Sequence, residues 1–185
     1  MALLFFDILE EMKDAISLGI GEPDFVTPWH IRDAGIYSLE RGYTKYTSNA
    51  GMAELRREIA SYLDRRFGLK YDYASQILVT VGGSEALDLS LRVLLNPGDE
   101  VIIPTPAFGL YEALVQLQGG VPVSLPTEHN HFQIVPEELK AAITDRTKAI
   151  ILTSPNNPTG CVYTKETLDA VHAILRDKPI FVLCD

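Results

Sequence analysis

The chain has 185 residues, of which 46% are hydrophobic and 22% charged, as is typical of a globular protein with a real core. Its formal net charge of −9 argues against nucleic acid as a partner, because no cationic surplus exists to neutralise phosphates. No apolar run reaches the length of a membrane span, so we expect no membrane partner. Two cysteines, Cys161 and Cys184, form no disulfide framework and favour the reducing cytoplasm.

The first part of the chain is predicted to be irregular and then helical. Glycines and prolines punctuate residues 1–28. One helix is predicted over about 29–41 and a second over about 52–67. The second has apolar residues at three- and four-residue steps, which form one apolar face: Met52, Leu55, Ile59, Tyr62, Leu63 and Phe67.

From Gln76 onward, short apolar strands alternate with amphipathic helices. The predicted strands are 77–81, 100–103, 121–125, 149–153 and 180–184. The predicted helices are 84–95, 109–118, 136–143 and 165–176. Near-continuous apolar strands separated by helices predict an α/β fold whose mostly parallel sheet is covered on both faces. Ligands of such sheets bind beyond the carboxyl ends of the strands, so the loops after the strands are the candidate sites.

Two of these loops offer a phosphate site and a stacking ring. Gly82 and Gly83 allow close backbone approach, and Ser84 is predicted to cap a helix whose free N–H groups favour an anion. A capped helix without a ligand is the alternative. Phe108, after the second strand, could stack on a planar cofactor or belong to the core.

Two further strand ends offer an amide and a carboxylate. The loop 154–160, with two prolines, two asparagines and a glycine, fixes Asn157 at a strand end, although a simple turn has the same composition. Asp185 could pair with a protonated ring nitrogen, as the acidic partner of a pyridoxal ring does. One planar, phosphorylated, protonated heterocycle would use all four groups. His129 and His131 lack the further ligands that a metal site needs, so no metal is predicted.

Five motifs along the chain carry a family resemblance. They are GIGEPDF at 19–25, YTKY at 43–46 with Gly51 following, GGSEA at 82–86, PGDEV at 97–101 and NNPTG at 156–160. In this order and spacing the chain resembles the class I/II aminotransferases, which are pyridoxal-phosphate enzymes of fold type I. The resemblance implies part of the three-layer α/β/α large domain, with 1–45 as an N-terminal segment of the small domain or arm and 46–185 as an incomplete large domain.

The resemblance also implies residue roles at the phosphate and at the substrate. Gly83, Ser84 and Glu85 would contact the cofactor phosphate, chiefly through backbone N–H groups and the Ser84 hydroxyl. Tyr46 would reach the phosphate bound by the neighbouring subunit of a homodimer. Gly21 would lie near the substrate carboxylate.

At the pyridine ring, the resemblance implies three further contacts. Phe108 would stack on the ring, Asn157 would hydrogen-bond its 3′-oxygen, and Asp185 would keep its nitrogen protonated. The implied activity is pyridoxal 5′-phosphate-dependent amino transfer between an amino acid and a 2-oxo acid, of the aspartate or aromatic type, in amino acid metabolism and biosynthesis.

The family's Schiff-base lysine lies beyond the residue that matches Asp185, so no catalytic residue is assigned and this chain alone is expected to be inactive. The family's strands beside 77–81 also come later in its sequences, so 77–81 is expected to lack partners and 180–184 to form a sheet edge. The alternatives are another fold type I enzyme (a carbon–sulfur lyase or an aminocyclopropane-carboxylate synthase), a non-catalytic chain acting only in assembly, and a nucleotide-binding doubly wound domain. The last lacks the three-glycine dinucleotide spacing.

Overall fold

A computed structural model describes residue 21 and residues 23–185. The chain divides into two compact units, Met1–Thr47 and Ser48–Asp185. The described part of the first unit contains helix α1 (Trp29–Glu40). The predicted irregular segment up to residue 20 lies outside the described residues, as does part of the 19–25 motif. Within the described ranges, no helix combines the length and the apolar character needed to cross a membrane.

The second unit holds the parallel sheet and five helices. Helix α2 (Ala53–Phe67) ends where Gly68 adopts a φ of 69°, a left-handed conformation that suits glycine. The remaining elements follow in chain order: α3 (Gly82–Leu94), β1 (Glu100–Thr105), α4 (Leu110–Leu117), β2 (Val121–Pro126), a short 3-10 turn (Glu128–Asn130), α5 (Pro136–Ala142), β3 (Thr147–Leu152), α6 (Lys165–Leu175) and β4 (Phe181–Cys184).

The four strands lie in the order β2-β1-β3-β4, and every neighbouring pair is parallel. Side chains alternate between the two faces, so each central strand contributes to two apolar clusters. The first cluster, packed by α3 and α4, contains Leu87, Leu91, Val101, Ile103, Tyr111, Leu114, Val115, Ala149 and Ile151. The second, packed by α5 and α6, contains Ile102, Leu125, Ile134, Leu139, Ile150, Leu152, Tyr163, Val171 and Leu175. Burial on both faces explains the near-continuous apolar strands, and the predicted α/β fold is confirmed.

The prediction of a strand at 77–81 is wrong. A strand is stabilised by a hydrogen-bonded neighbour, and none of the described strands lies beside this segment. An open cavity of about 470 Å³ is lined by Leu78 and Thr80 of the segment, by Leu183 of β4 and by residues of α3. The backbone of segment 77–81 is instead hydrogen-bonded to the loop before α2, where the Val79 N–H donates to the Ala50 carbonyl at 3.1 Å. The expectation that the last strand forms an edge is confirmed for the described sheet.

The amino ends of β1 and β3 are joined by an ion pair. Glu100 is 4% exposed and accepts hydrogen bonds from Arg146 at 2.7 Å and 3.1 Å and from the Thr144 hydroxyl at 2.5 Å. The hydroxyl first, and then the guanidinium, hold the pKa of Glu100 below its ordinary value of 4.5. The register of β1 against β3 shifts between Glu100 and Val101, so the ion pair lies where the regular strand pairing is interrupted.

Candidate cofactor site

The amino end of α3 differs from its prediction in one detail. The helix begins at Gly82, two residues earlier than the predicted start at Ser84, and Ser84 therefore lies in the first turn rather than at the cap. The N-cap is Val81, and its own N–H donates to the Glu85 carboxylate in the first turn. The first N–H groups of a helix have no partner within it, so those of Gly83 and Ser84 remain suited to an anion. Gly83, Ser84 and Glu85 are all exposed.

Phe108 follows β1 at its carboxyl end, one residue before the N-cap of α4. Its ring is 41% exposed, so Phe108 is not a fully buried core aromatic. The ring meets the Tyr111 ring edge to face, with centroids 5.8 Å apart and planes at 85°. This contact supports the Phe108 ring while part of its surface stays open to a ligand.

Asp185 follows β4 and is held by its backbone and by its side chain. Its N–H donates to the Leu152 carbonyl at 3.1 Å, which continues the pairing of β4 with β3. Its Oδ2 accepts a hydrogen bond of 2.6 Å from the Tyr111 hydroxyl. Its Oδ1 lies 3.5 Å from the position that a Cβ on Gly83 would take. The carboxylate therefore lies beside the amino end of α3, as expected for groups at one edge of a parallel sheet.

Tyr111 is a site residue that the sequence did not reveal. It is 1% exposed and belongs to the first apolar cluster, and its hydroxyl also contacts the Thr153 hydroxyl at 2.8 Å. Burial, reinforced by the hydrogen bond to Asp185, raises the pKa of Tyr111 to about 12, so the phenol keeps its proton. The available signal was its place three residues after Phe108, in the first turn of the helix that the Phe108 loop leads into.

The two asparagines of the loop after β3 have different surroundings. The Asn156 amide donates to the Pro106 carbonyl and to the Thr159 hydroxyl, both at 2.9 Å, and so ties this loop to the loop after β1. The Asn157 side chain is exposed and makes no hydrogen bond within the described part of the chain. The loop is therefore built by Asn156, and the Asn157 amide remains available to a ligand.

The structure thus brings Gly83, Phe108 and Asp185 to one edge of the sheet, with the Asn157 loop attached to the Phe108 loop. Gly21 and Tyr46 belong to the first compact unit, where both are exposed, and their roles stay predictions. Across the described ranges, no group of three or more His, Cys, Asp or Glu residues is arranged to hold a metal ion. His129 instead contacts Glu138 at 3.0 Å.

Comparison with known proteins agrees with this geometry. Residues 13–185 match the family "Aminotransferase class I and II". The chain is 50% identical over 182 residues to a putative aminotransferase, YugH, of Bacillus subtilis, covering 98% of this chain and 47% of that protein. It is 49% identical over 173 residues to the aspartate aminotransferase of Geobacillus stearothermophilus, covering 93% of this chain and 44% of the relative.

Solved structures give the same result. The aspartate aminotransferase of Thermus thermophilus with maleate superposes with a TM-score of 0.91 at 39% identity, over all of this chain and 48% of that one. The chain spans about half the length of the curated relatives it matches. Because the family match covers almost the whole chain, the chain belongs to the class I and II aminotransferases.

Proposed function

We propose that the complete protein to which these residues belong is a pyridoxal-phosphate-dependent aminotransferase that moves an amino group between an amino acid and a 2-oxo acid. The observation that carries the proposal is the placement of Asp185 beside the amino end of α3, with Phe108 packed against Tyr111 at the same edge of the sheet. An acceptor for a protonated ring nitrogen, donors for a phosphate and an aromatic face are the groups that this cofactor requires.

The donor set fits pyridoxal phosphate in chemical type. The backbone N–H groups of Gly83 and Ser84 would bind the phosphate, and the amide of Asn157 would donate to the 3′-oxygen. Phe108 would cover one face of the ring and exclude water there. Asp185 would hold the proton on the ring nitrogen, because a carboxylate favours the positively charged form. When bound, the cofactor supplies a protonated ring that withdraws electrons from the substrate's α-carbon.

The substrate class is proposed from the relatives. Several are named as aspartate aminotransferases, at 44–49% identity, and one as an aromatic-amino-acid aminotransferase at 39%. We assign the complete protein to the aspartate or aromatic type. Gly21 is proposed to lie near the substrate carboxylate, and Tyr46 to reach the phosphate site of the partner in a homodimer. A cytoplasmic location is supported by two free cysteines, Cys161 and Cys184.

The test uses the complete protein, purified without cofactor and then incubated with pyridoxal phosphate. We expect a new absorbance band from the bound cofactor, and amino transfer from aspartate or an aromatic amino acid to 2-oxoglutarate. Size-exclusion chromatography with light scattering should give the mass of a dimer. A complete protein that binds the cofactor but transfers no amino group from any donor would contradict the assigned activity, and one that binds no cofactor would contradict the whole proposal.

A further inference from the structure

The side chain of Tyr111 places a polar atom at the boundary between the first apolar cluster and the candidate site. Its ring is buried in the same apolar cluster as Leu114 and Val115, and close packing of this kind restricts its movement. Its hydroxyl meets Asp185 at 2.6 Å and Thr153 at 2.8 Å. We propose that Tyr111 is a positioning residue that holds the Asp185 carboxylate in one orientation and thereby sets how strongly the site binds the cofactor's ring nitrogen. This inference rests on the proposed function.

The hydrogen bond fixes one carboxylate oxygen and leaves the other available. Oδ2 is taken by the Tyr111 hydroxyl, whereas Oδ1 has no side-chain partner among the described residues and lies toward Gly83. An unsupported carboxylate rotates about its side-chain bonds and loses this freedom only when a ligand binds. A carboxylate already held by a rigid phenol has less conformational entropy to lose, so it binds a cation more tightly.

The hydrogen bonds of Thr153, Tyr111 and Asp185 form a chain in which each hydroxyl donates to the next residue. Tyr111 donates its single proton to Asp185, so the Thr153 hydroxyl must donate to the Tyr111 oxygen. The pKa of Tyr111, raised to about 12, keeps the phenol neutral and able to donate. Hydrogen bonds in such a chain polarise one another, so the Thr153 hydroxyl strengthens the bond that Tyr111 makes to Asp185.

Tyr111 also links the carboxylate to the stacking ring. The same ring whose hydroxyl holds Asp185 supports Phe108 from the side. Replacing Tyr111 by phenylalanine removes only the hydroxyl and keeps the ring that packs in the core and against Phe108. The substitution therefore separates the hydrogen bond from the packing.

The experiment compares Tyr111→Phe with Tyr163→Phe in the complete protein. Tyr163 is the matched control, because it is also buried, its pKa is also raised to about 12 by burial, and it lies in the second cluster on the other face of the sheet. The readouts are the dissociation constant of pyridoxal phosphate and the ¹⁵N NMR signal of cofactor labelled at the ring nitrogen. Neither readout depends on catalytic activity.

We expect Tyr111→Phe to weaken cofactor binding about 10-fold, because the Asp185 side chain must then be ordered when the cofactor binds. We expect the ¹⁵N signal to move toward that of the unprotonated ring. Tyr163→Phe should leave both readouts unchanged.

Equal affinity and an identical ¹⁵N signal in Tyr111→Phe and wild type would overturn the inference and leave the proposed function intact. Equal changes in both variants would also overturn it, because they would reflect a general loss of packing. A wild-type protein that binds no cofactor overturns both the inference and the proposed function.

Discussion

Each end of the sheet has a carboxylate that accepts a hydrogen bond from a hydroxyl. The two carboxylates differ in whether an oxygen atom remains without a side-chain partner. At the amino ends of the strands, Glu100 is buried and accepts from Arg146 and Thr144 on both of its oxygens. At the carboxyl ends, Asp185 is exposed and has Tyr111 as its side-chain partner on one oxygen. Since Glu100 has no oxygen left for a ligand, we infer that it stabilises the fold.

Asp185 has the opposite character. The protein orients this carboxylate through one oxygen and leaves the other oxygen available to bind a ligand. The comparison predicts that changes at Glu100 will affect stability without affecting the site, and that changes around Asp185 will affect the site more than stability.

The largest expected effect is at Glu100. Glu100→Gln removes the charge that binds Arg146 and accepts from Thr144, and it should lower the free energy of unfolding by about 2 kcal/mol. Urea unfolding of the complete protein measures this loss. Glu137→Gln is the control, because Glu137 forms an exposed ion pair in which its Oε1 lies 3.6 Å from Lys140 Nζ. Its substitution should lower the free energy of unfolding by less than about 0.5 kcal/mol. Weaker cofactor binding in Glu100→Gln would break the distinction between the two ends.

The same pair predicts a dependence of stability on pH. The folded-state pKa of Glu100 is lowered from 4.5, so its contribution is fully present above pH 4.5 and is lost as the pH falls through the folded-state pKa. The difference in urea midpoint between wild type and Glu100→Gln should therefore be large at pH 7 and shrink at about pH 3. A difference that stays constant over this range would show that the charge of Glu100 contributes little.

The two asparagines of the loop after β3 provide an intermediate effect. Asn156→Ala removes the hydrogen bonds to Pro106 and Thr159 and should cost about 1–2 kcal/mol in thermal or urea unfolding. Asn157→Ala should cost less than about 0.5 kcal/mol but should shift the pH at which the absorbance of bound cofactor changes. A large stability loss in Asn157→Ala with an unchanged pH midpoint would assign Asn157 to the turn instead.

The smallest expected effect is at Thr153. Thr153→Val removes the donor to the Tyr111 oxygen but leaves the bond from Tyr111 to Asp185, so cofactor affinity should fall only about two- to threefold. Thr153→Ser keeps the hydroxyl and should retain wild-type affinity. If Thr153→Val lowered cofactor affinity as much as Tyr111→Phe, the Tyr111 hydroxyl could not hold Asp185 without the Thr153 hydroxyl.

Much of the fold could be predicted from the sequence because burial on both faces gives the four parallel strands a nearly continuous apolar composition. The segment 77–81 has this composition as well, but composition does not show whether a neighbouring strand is present to pair with it. Ser84 is a good capping residue, yet the helix extends back through Gly82 and Gly83 to Val81, so Ser84 lies inside its first turn. Local preference therefore predicted the helix but misplaced its first residue.

The candidate site was predictable only in its outward-facing groups. Phe108, Asn157 and Asp185 directly follow strands or lie in proline-rich loops, and each attracts attention by its position. Tyr111 looks like an ordinary core residue within the apolar pattern of α4, and its partner Asp185 is 74 residues away in sequence. No local pattern carries a contact of that separation, so the hydrogen bond became visible only with the fold.

The membership of Tyr111 in the first cluster has a consequence for protein engineering. Substitutions that repack this side of the sheet, at Leu87 or Leu114 for example, would move the tyrosine ring and with it the acid that it holds. The second cluster holds Asp185 only through its backbone, by the hydrogen bond from the Asp185 N–H to the Leu152 carbonyl. Efforts to raise thermostability without disturbing the candidate site should therefore concentrate their libraries on the side packed by α5 and α6 and leave Leu152 unchanged.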